Sequence, residues 1–372
     1  RVAALVAAHA VEFAAGARTC SHAGARARLA RRQRGRLRLG RGVDQHLRGR
    51  APHRPDAEGA ERKARFGRQR GRAVQPLGAP MNDYHGVIAP AEETISLEEV
   101  ARLLKASRLS VPSWIGAGEA GCARQTVQVV MPDSGYDAWY AERRATYGKY
   151  FKDKERARRS LEAELGPIRV ERALRDPDML DRLIELKAAQ YRRSGLHDIF
   201  ACGWTRDLLQ ALMADPRADF GASMAAMHAG DKLVAVEFSL YAGRHYHFWF
   251  PVYEPALARC SPGILLSMDT MRLAAAEGFR VFDFGFEGET YKKYFINARQ
   301  TVREAIVVRP GPVQALGDLM AAALSRVGGK GEALRTSLRR RWSTIEACEP
   351  TAAGQVRGAA VAARALARKA TA

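Results

Sequence analysis

The chain has 372 residues, of which 60 are Lys or Arg and 40 are Asp or Glu, so its formal charge is +20. A hydrophobic fraction of 47% excludes a wholly disordered chain, and the length allows one large domain or two ordinary ones. No run of about 18 apolar residues is present, so no membrane-spanning helix is expected. Five cysteines without close pairing argue against a disulfide scaffold and a CxxC zinc site.

Most of the positive charge lies in the first fifth of the chain. Residues 1–80 hold 19 basic and 5 acidic residues, a net charge of +14, which leaves +6 for residues 81–372. Three interpretations of residues 1–73 are open: an arm that binds nucleic acid, a transit peptide, or a GC-rich gene read in the wrong frame. The misread start is favoured, because Arg, Ala and Gly are encoded by GC-rich codons. No aromatic residue lies among the arginines between Phe13 and Phe66 to stack on bases, which weakens the case for a nucleic-acid arm. Nucleic acid is therefore not expected as a partner.

Residues 74–165 have an ordinary composition and form a second predicted region. Ser96 precedes apolar residues at helical spacing, namely Leu97, Val100, Leu103 and Leu104, and predicts a helix start. The run Thr126–Met131 predicts a strand. A charged helix is predicted from Tyr136 to Leu165, before Gly166-Pro167.

From residue 166 to residue 310 the pattern predicts elements in the order β-α-α-β-β-β-α-β-α-β. The dipeptide Asp176-Pro177 is typical of a helix start, and Gly230-Asp231 and Ala242-Gly243 are typical of hairpin turns. The order predicts an antiparallel meander followed by a β-α-β crossover, which is an α+β fold. No GxGxxG or GxxxxGK[ST] motif supports a Rossmann or P-loop protein. The last predicted helix of this region runs from Thr290 to Ile296.

Two features near residue 260 point to a ligand site. Pro251 lies within the strand His245–Val252 and cannot donate to a neighbouring strand, which predicts an opening beside the strand Arg280–Gly285. Ser261-Pro262-Gly263 then opens a helix, with Ser261 as the predicted N-cap. A helix start after a strand is suited to bind phosphate. A plain, well-capped helix is the alternative.

Six short motifs follow one another along the chain. They are Lys187-x-x-Gln190-Tyr191, Gly230-Asp231-Lys232-Leu233-Val234-Ala235, Trp249-Phe250-Pro251-x-Tyr253, Ser261-Pro262-Gly263-x-Leu265-Leu266, Gly278-Phe279-x-Val281-Phe282-Asp283-Phe284-Gly285 and Glu289-x-Tyr291-Lys292. In this order they resemble the GNAT-related acetyltransferases assigned to cellulose and other polysaccharide biosynthesis (CelD/BcsL-like). The stretch Asn82-Asp83-Tyr84-x-Gly86-Val87-Ile88 is similar to one that such proteins carry in their first half.

The resemblance implies an architecture for the whole chain. Members of this group resemble two fused GNAT-like halves and are distantly related to Fem-type aminoacyl transferases. The expected fold is a GNAT-like mixed sheet flanked by helices, complete in the C-terminal half, with a truncated GNAT-like N-terminal half. The expected regions are an Arg-rich segment (1–73), a remnant of the first half plus a basic helix (74–165), a GNAT-like acyltransferase domain (166–312), and C-terminal helices with a basic tail (313–372).

The resemblance also implies an activity. It implies a cytoplasmic N- or O-acyltransferase that uses acetyl-CoA or another acyl-CoA and transfers the acyl group directly to a sugar or envelope precursor. The segment Arg259-x-x-x-Gly263 departs by one position from the loop that GNAT enzymes use for CoA, and the second glycine is missing. Two alternatives remain: a Fem-like transferase that uses aminoacyl-tRNA, and a basic nucleic-acid-binding protein.

Candidate site residues follow from position and from the resemblance. Asp283 lies near the end of a strand among Phe and Val, which suits a general base; Lys187 lies in the apolar face of its helix and is suited to hold an anionic group. The candidates are, for catalysis, Asp283 and Tyr291; for the cofactor, Ser261, Gly263, Ile264 and Leu265; and for the substrate, Lys187, Tyr191, His247 and Lys292.

Lesser roles are expected for several further residues. His245 and His247 share one strand face, but no further metal ligands are evident, so no metal is expected. Cys260 is expected to be a small buried residue rather than a nucleophile. Glu287 and Glu289 are loop carboxylates that could replace Asp283 as base, and Lys293 reads as a solvated neighbour of Lys292.

Overall fold

The structure is a computed structural model that describes residues 66–68, 73–87, 95–309, 311, 329–349 and 351–370. The interpretation of the Arg-rich segment therefore falls almost entirely outside the described residues, and it stays a prediction.

The described residues form strands and helices in alternation. The strands are β1 (Phe66–Arg68), β2 (Ala73–Pro76), β3 (Arg108–Trp114), β4 (Cys122–Val130), β5 (Ile168–Leu174), β6 (Phe220–Ala229), β7 (Lys232–Ala242), β8 (His245–Tyr253), β9 (Val281–Phe286) and β10 (Ala298–Val308). The α-helices are α1 (Leu97–Leu103), α2 (Tyr136–Thr146), α3 (Gly148–Leu165), α4 (Pro177–Ser194), α5 (Gly203–Ala214), α6 (Pro262–Ala276), α7 (Lys292–Phe295), α8 (Gly329–Cys348) and α9 (Ala352–Ala370). Short 3-10 segments lie at Ile199–Ala201 and Pro255–Cys260. From β5 to β10 the predicted order of elements is confirmed.

The chain divides into two compact units. Among the described residues, the larger unit comprises 124–301, 348–349 and 351–370. The smaller unit comprises 66–68, 73–87, 95–123, 302–309, 311 and 329–347. Residues 124–165 therefore lie in the same unit as the region that begins at residue 166.

The larger unit is built on a mixed sheet with the strand order β10-β4-β9-β8-β7-β6-β5. Strands β5 to β8 are antiparallel neighbours, β8 and β9 are parallel, and β9 and β4 are antiparallel. Two-residue turns join β6 to β7 and β7 to β8, where Gly230 and Gly243 take φ values of +57° and +54°. Positive φ is what such hairpin turns require. The α+β expectation, with a meander and a β-α-β crossover, is confirmed.

Helices cover both faces of this sheet. On one face Leu161 of α3 and Leu265 of α6 pack with Ala225 of β6. On the other face Phe200, between α4 and α5, lies edge-on to Phe250 of β8, with ring centroids 5.3 Å apart. Because it is covered on both faces, β6 is buried along nearly its whole length, and its sequence is an apolar run rather than an alternation.

The smaller unit has its own core around β3 and α1. Strand β2 is parallel to β3, and β3 is antiparallel to the later residues of β10. Ser96 caps α1 as predicted, since its Oγ accepts a hydrogen bond from the Glu99 amide at 3.1 Å. Leu97 and Val100 are buried, but Leu103 is 47% exposed. The prediction that Leu103 belongs to the apolar face is wrong, because Leu103 lies about 240° around the helix axis from Leu97.

Two predicted helices also differ in extent. The helix expected from Tyr136 to Leu165 is interrupted at Tyr147, whose φ of −124° and ψ of 44° are not helical, so α2 and α3 are separate. The helix expected from Thr290 is only α7, which begins at Lys292. Both boundaries depend on packing that periodicity does not report.

Candidate active site

Strands β8 and β9 run side by side for a short distance and then separate. Their paired residues are His245 with Val281, Tyr246 with Phe282, and His247 with Asp283. Beyond these rungs no β8–β9 pairing occurs within the described residues, while β8 remains paired with β7 as far as Tyr253. We call the resulting gap, between residues 248–253 and 284–286, the β8–β9 slot. It lies beside Pro251, as predicted.

A row of three polar side chains closes the slot where the strands last pair. His247 on β8, Asp283 on β9 and Gln128 on β4 are register neighbours, so their side chains share one face of the sheet. Asp283 Oδ2 lies 3.3 Å from His247 Nδ1, and Asp283 Oδ1 accepts a hydrogen bond from the Gly285 amide at 2.7 Å. The Nε2 atom of Gln128 is buried and has no hydrogen-bond partner among the described residues. The row thus joins a carboxylate and an imidazole in a largely dry setting.

Two lysines hold carbonyl groups on the separated strand ends. Lys187 Nζ, on α4, donates to the Pro251 carbonyl at 2.9 Å, and Lys292 Nζ donates to the Phe286 carbonyl at 2.7 Å. Lys292 also forms an ion pair of 2.6 Å with Glu289. Burial lowers the pKa of Lys187 to about 8, with a further lowering by Lys292 and an opposing effect of Glu289. The structure therefore places two ammonium groups at the edges of the slot.

The face of the sheet covered by α6 carries buried hydroxyl and carboxyl groups. Burial raises the pKa of Tyr291, and the Glu289 carboxylate adds to this effect, so the phenol stays protonated at neutral pH. Tyr150 on α3 stacks on Tyr294 with ring centroids 3.8 Å apart. Glu237 on β7 is fully buried, and burial raises its pKa to about 8. At neutral pH Glu237 is therefore mostly a neutral acid.

Helix α6 begins as predicted, but Ser261 does not cap it. Ser261 has a φ of +50°, and its side chain makes no capping hydrogen bond, because capping requires an extended backbone at that residue. Its Oγ instead accepts a hydrogen bond from Lys154 Nζ on α3 at 2.8 Å. The amides of Ile264 and Leu265 both donate to the Ser261 carbonyl, at 3.0 and 3.2 Å. The helix start thus combines a lysine ammonium with the positive end of the helix dipole.

Gly263 positions this helix start against the end of β8. A Cβ atom on Gly263 would lie 3.2 Å from Cδ1 of Tyr253, which is closer than an unstrained contact. The glycine therefore allows α6 to begin beside the tyrosine ring. This packing role is one that the sequence pattern did not indicate.

All predicted site residues lie in the larger unit. The structure brings His247 to Asp283, and it brings Lys187 within 5.8 Å of the Tyr191 ring centroid. Sequence reasoning missed Gln128, Glu237 and Lys154. A polar residue inside an apolar strand was the available signal for Gln128 and Glu237, whereas Lys154 lies in a helix rich in charge and gives no such signal.

Of the residues with lesser predicted roles, Glu289 joins the site through its ion pair with Lys292, whereas Cys260 and Glu287 have other surroundings. Cys260 is 2% exposed, and Glu287 lies 3.6 Å from Arg299 in an ion pair. Within the described ranges, no group of three or more His, Cys, Asp or Glu side chains is arranged to hold a metal ion. None of the described helices is long and apolar enough to cross a membrane.

The sequence of the larger unit matches a protein-family model. Residues 148–293 match the model described as "Acetyltransferase (GNAT) domain". This stretch is similar to GNAT acetyltransferase domains. It contains α3, the β8–β9 slot, α6, Asp283 and Tyr291, and it identifies the chain as an enzyme of the acyltransferase class. No curated protein matches the chain significantly.

Several solved structures resemble the chain weakly. The C-terminal domain of a lysylphosphatidylglycerol synthetase candidate from Agrobacterium fabrum is 14% identical, with a TM-score of 0.44, and the match covers 70% of this chain and 84% of that one. FemX is 12% identical, with a TM-score of 0.43, covering 68% and 85%. A GCN5-related N-acetyltransferase from Kribbella flavida is 11% identical, with a TM-score of 0.28, covering 60% and 52%. Because these TM-scores lie below 0.5, the class rests on the GNAT domain match.

Proposed function

We propose that this enzyme transfers an acyl group from acetyl-CoA, or another acyl-CoA, to an amine or hydroxyl of a sugar or envelope precursor. The observation that carries the proposal is the β8–β9 slot inside the GNAT domain, with α6 beginning at one of its edges. The polysaccharide-biosynthesis type and a cytoplasmic location belong to the same proposal. They rest on the resemblance of the six motifs.

The acyl donor would bind from the side of the sheet covered by α6. Its phosphates would meet the start of α6, where Lys154 donates to Ser261 and the helix dipole favours negative charge. The open edges of β8 and β9 would hydrogen-bond the amide groups of the donor's extended arm. Ser261 and Gly263 shape this end of the site, while the amides of Ile264 and Leu265 are already engaged in the helix.

The acceptor would bind from the opposite side, where the polar row closes the slot. In the proposed reaction the attacking amine or hydroxyl forms a bond to the thioester carbon, and the bond from carbon to sulfur breaks. His247, held by Asp283 at 3.3 Å, takes the proton of the attacking group. Tyr291, whose raised pKa keeps it protonated, donates a hydrogen bond to the leaving thiolate, which takes its proton from water. Lys187, Tyr191 and Lys292 bind the acceptor.

Calorimetric titration with acetyl-CoA tests the donor assignment. We expect binding to the full chain, and we expect Lys154→Met to weaken it about tenfold because a charge-assisted contact is lost. Lys152→Met is the matched control, since Lys152 is exposed on the same helix. Absence of binding to correctly folded protein at about millimolar acetyl-CoA would exclude the acyl-CoA assignment. Transfer from an aminoacyl-tRNA under those conditions would favour the Fem-like alternative.

A further inference from the structure

The two lysines at the slot are held in an unusual arrangement. Lys187 comes from α4 and is fixed to the Pro251 carbonyl of β8, while Lys292 comes from α7 and is fixed to the Phe286 carbonyl of β9. Both carbonyls belong to the parts of the strands that no longer pair with each other. Each of the two separated strand ends therefore has one lysine ammonium bound to its carbonyl group, and the two lysines come from different helices.

The charges at this place do not balance. Lys187 and Lys292 contribute two positive charges, and Glu289 is the carboxylate that acts on both of them. The side chain of Lys292 is 7% exposed, whereas that of Glu289 is 60% exposed, so water screens the negative partner more than the positive one. Placing a second ammonium in such surroundings costs free energy unless a further anion is present.

Two strand carbonyls can accept hydrogen bonds without the free-energy cost of burying a second ammonium group. An ammonium has three N–H donors and a full charge, whereas a neutral amide or hydroxyl could bond the same carbonyl oxygens. Lys187 uses one donor on Pro251, and Lys292 uses donors on Phe286 and Glu289. The ammonium groups thus have the capacity to bind a further acceptor atom beside the slot.

We propose that Lys187 and Lys292 together bind an anionic group of the acceptor, either a phosphate or a carboxylate carried by a sugar. This inference rests on the proposed function and narrows its acceptor to an anionic saccharide. The group would lie between the two ammonium ions, on the side of the slot opposite the acyl donor. Tyr191, whose ring centroid lies 5.8 Å from Lys187 Nζ, would contact the apolar face of the sugar.

Binding of an anion has a consequence for protons. Glu289 and Lys292, together with the Tyr191 ring, are the charged and aromatic groups that act on Lys187. Since burial holds the pKa of Lys187 near 8, about half of the molecules lack that proton at pH 8. An anion favours the charged form, so binding at pH 8 takes up about half a proton per protein molecule, and affinity falls as the pH rises further.

Calorimetry with three sugars and without acyl donor tests the proposal. The probes are glucose 6-phosphate, glucuronate and glucose, each titrated at pH 8 in two buffers that differ in ionisation enthalpy. We expect at least one anionic sugar to bind about tenfold or more tightly than glucose, with uptake of a proton from the buffer. The anionic sugar that binds with the higher affinity shows whether the bound group is a phosphate or a carboxylate.

Variants separate binding from a structural role. We expect Lys187→Met and Lys292→Met to abolish the preference for the anionic sugar, and Lys187→Met to abolish the proton uptake as well. Lys293→Met is the control, because Lys293 is exposed and adjacent to Lys292. The melting temperature of each variant reports whether it is folded. The proton uptake is measured on the unaltered chain, so it tests the proposal even if a variant does not fold.

Two results would overturn the proposal. One is equal binding of glucose and both anions, or no binding of either anion at about 10 mM. The other is an anion preference that survives in folded Lys187→Met. Because no acyl donor is present, these results are independent of the acetyl-CoA titration: loss of the anion site with intact acetyl-CoA binding would leave the proposed function standing.

Discussion

The substitution Asp283→Asn tests the proposed polar row most directly. Asp283 is 4% exposed, accepts a hydrogen bond from the Gly285 amide through Oδ1, and lies 3.3 Å from His247 Nδ1 through Oδ2. Asparagine has the same shape, and its oxygen can still accept from the Gly285 amide. The change therefore removes a negative charge beside the imidazole while the packing is retained.

The expected loss follows from the role of that charge. An imidazole that takes up a proton is stabilised by a buried carboxylate at contact distance, and general base catalysis contributes about 10²- to 10⁴-fold to a rate. We therefore expect kcat to fall by at least about 10²-fold, which corresponds to about 2.7 kcal/mol. Affinity for acetyl-CoA should change by less than about twofold, because Lys154 and the start of α6 are untouched.

The assay is release of the CoA thiol at saturating acetyl-CoA, combined with calorimetric titration of acetyl-CoA. Asp231→Asn is the matched control, since Asp231 is exposed in the β6–β7 turn. His247→Gln should cause a similar loss, and the double variant should lose little more, because the two residues would act as one unit. An unchanged kcat in folded Asp283→Asn would refute the assignment.

Three further predictions concern stability and local geometry. Glu237→Gln should flatten the pH dependence of stability: burial raises the Glu237 pKa to about 8, so the folded chain keeps a proton that the unfolded chain releases, and stability falls by up to about 1.4 kcal/mol per pH unit between about pH 5 and pH 8. Urea unfolding across this range measures the slope, and an unaltered slope would exclude Glu237 as its source. Phe295→Ala should cost about 3–5 kcal/mol in the same assay, because Phe295 is fully buried against Trp139; a loss below about 1 kcal/mol would contradict the described core. Gly285→Ala should cost about 1–2 kcal/mol and lower kcat, because its φ of +69° is unfavourable for alanine and its amide holds Asp283; Gly203→Ala, at a site with open space around the Cβ, is the control.

The order of elements from β5 to β10 could be predicted because its signals are local. Gly230 and Gly243 mark hairpin turns, which require a positive φ. Asp176 caps α4, because its Oδ1 accepts hydrogen bonds from the amides of Asp178 and Met179. Pro251 indicated the opening for the same reason, since a residue without an N–H cannot continue a ladder. Each of these residues determines structure within a few positions of itself.

The remaining features depend on contacts between distant segments. Gln128 meets Asp283 because β4 and β9 pair in one particular register, and that register is set by packing rather than by either strand's own sequence. Ser261 is a residue type that commonly caps helices, but it follows the 3-10 segment Pro255–Cys260 in a left-handed conformation and makes no capping hydrogen bond. Lys154 reaches Ser261 only through the packing of α3 on α6.

The separation of β8 from β9 also determines which mutations the donor site would tolerate. Along the slot the strand edges present amide and carbonyl groups, which are the same for every residue type except proline. A donor bound through those edges would be held largely independently of side-chain identity at positions 248–253. Substitutions there that keep the buried packing of Phe248, Phe250 and Val252 should therefore change donor affinity little, whereas a new proline would remove a binding group. Sequence similarity across this stretch would then understate how far the donor site is shared.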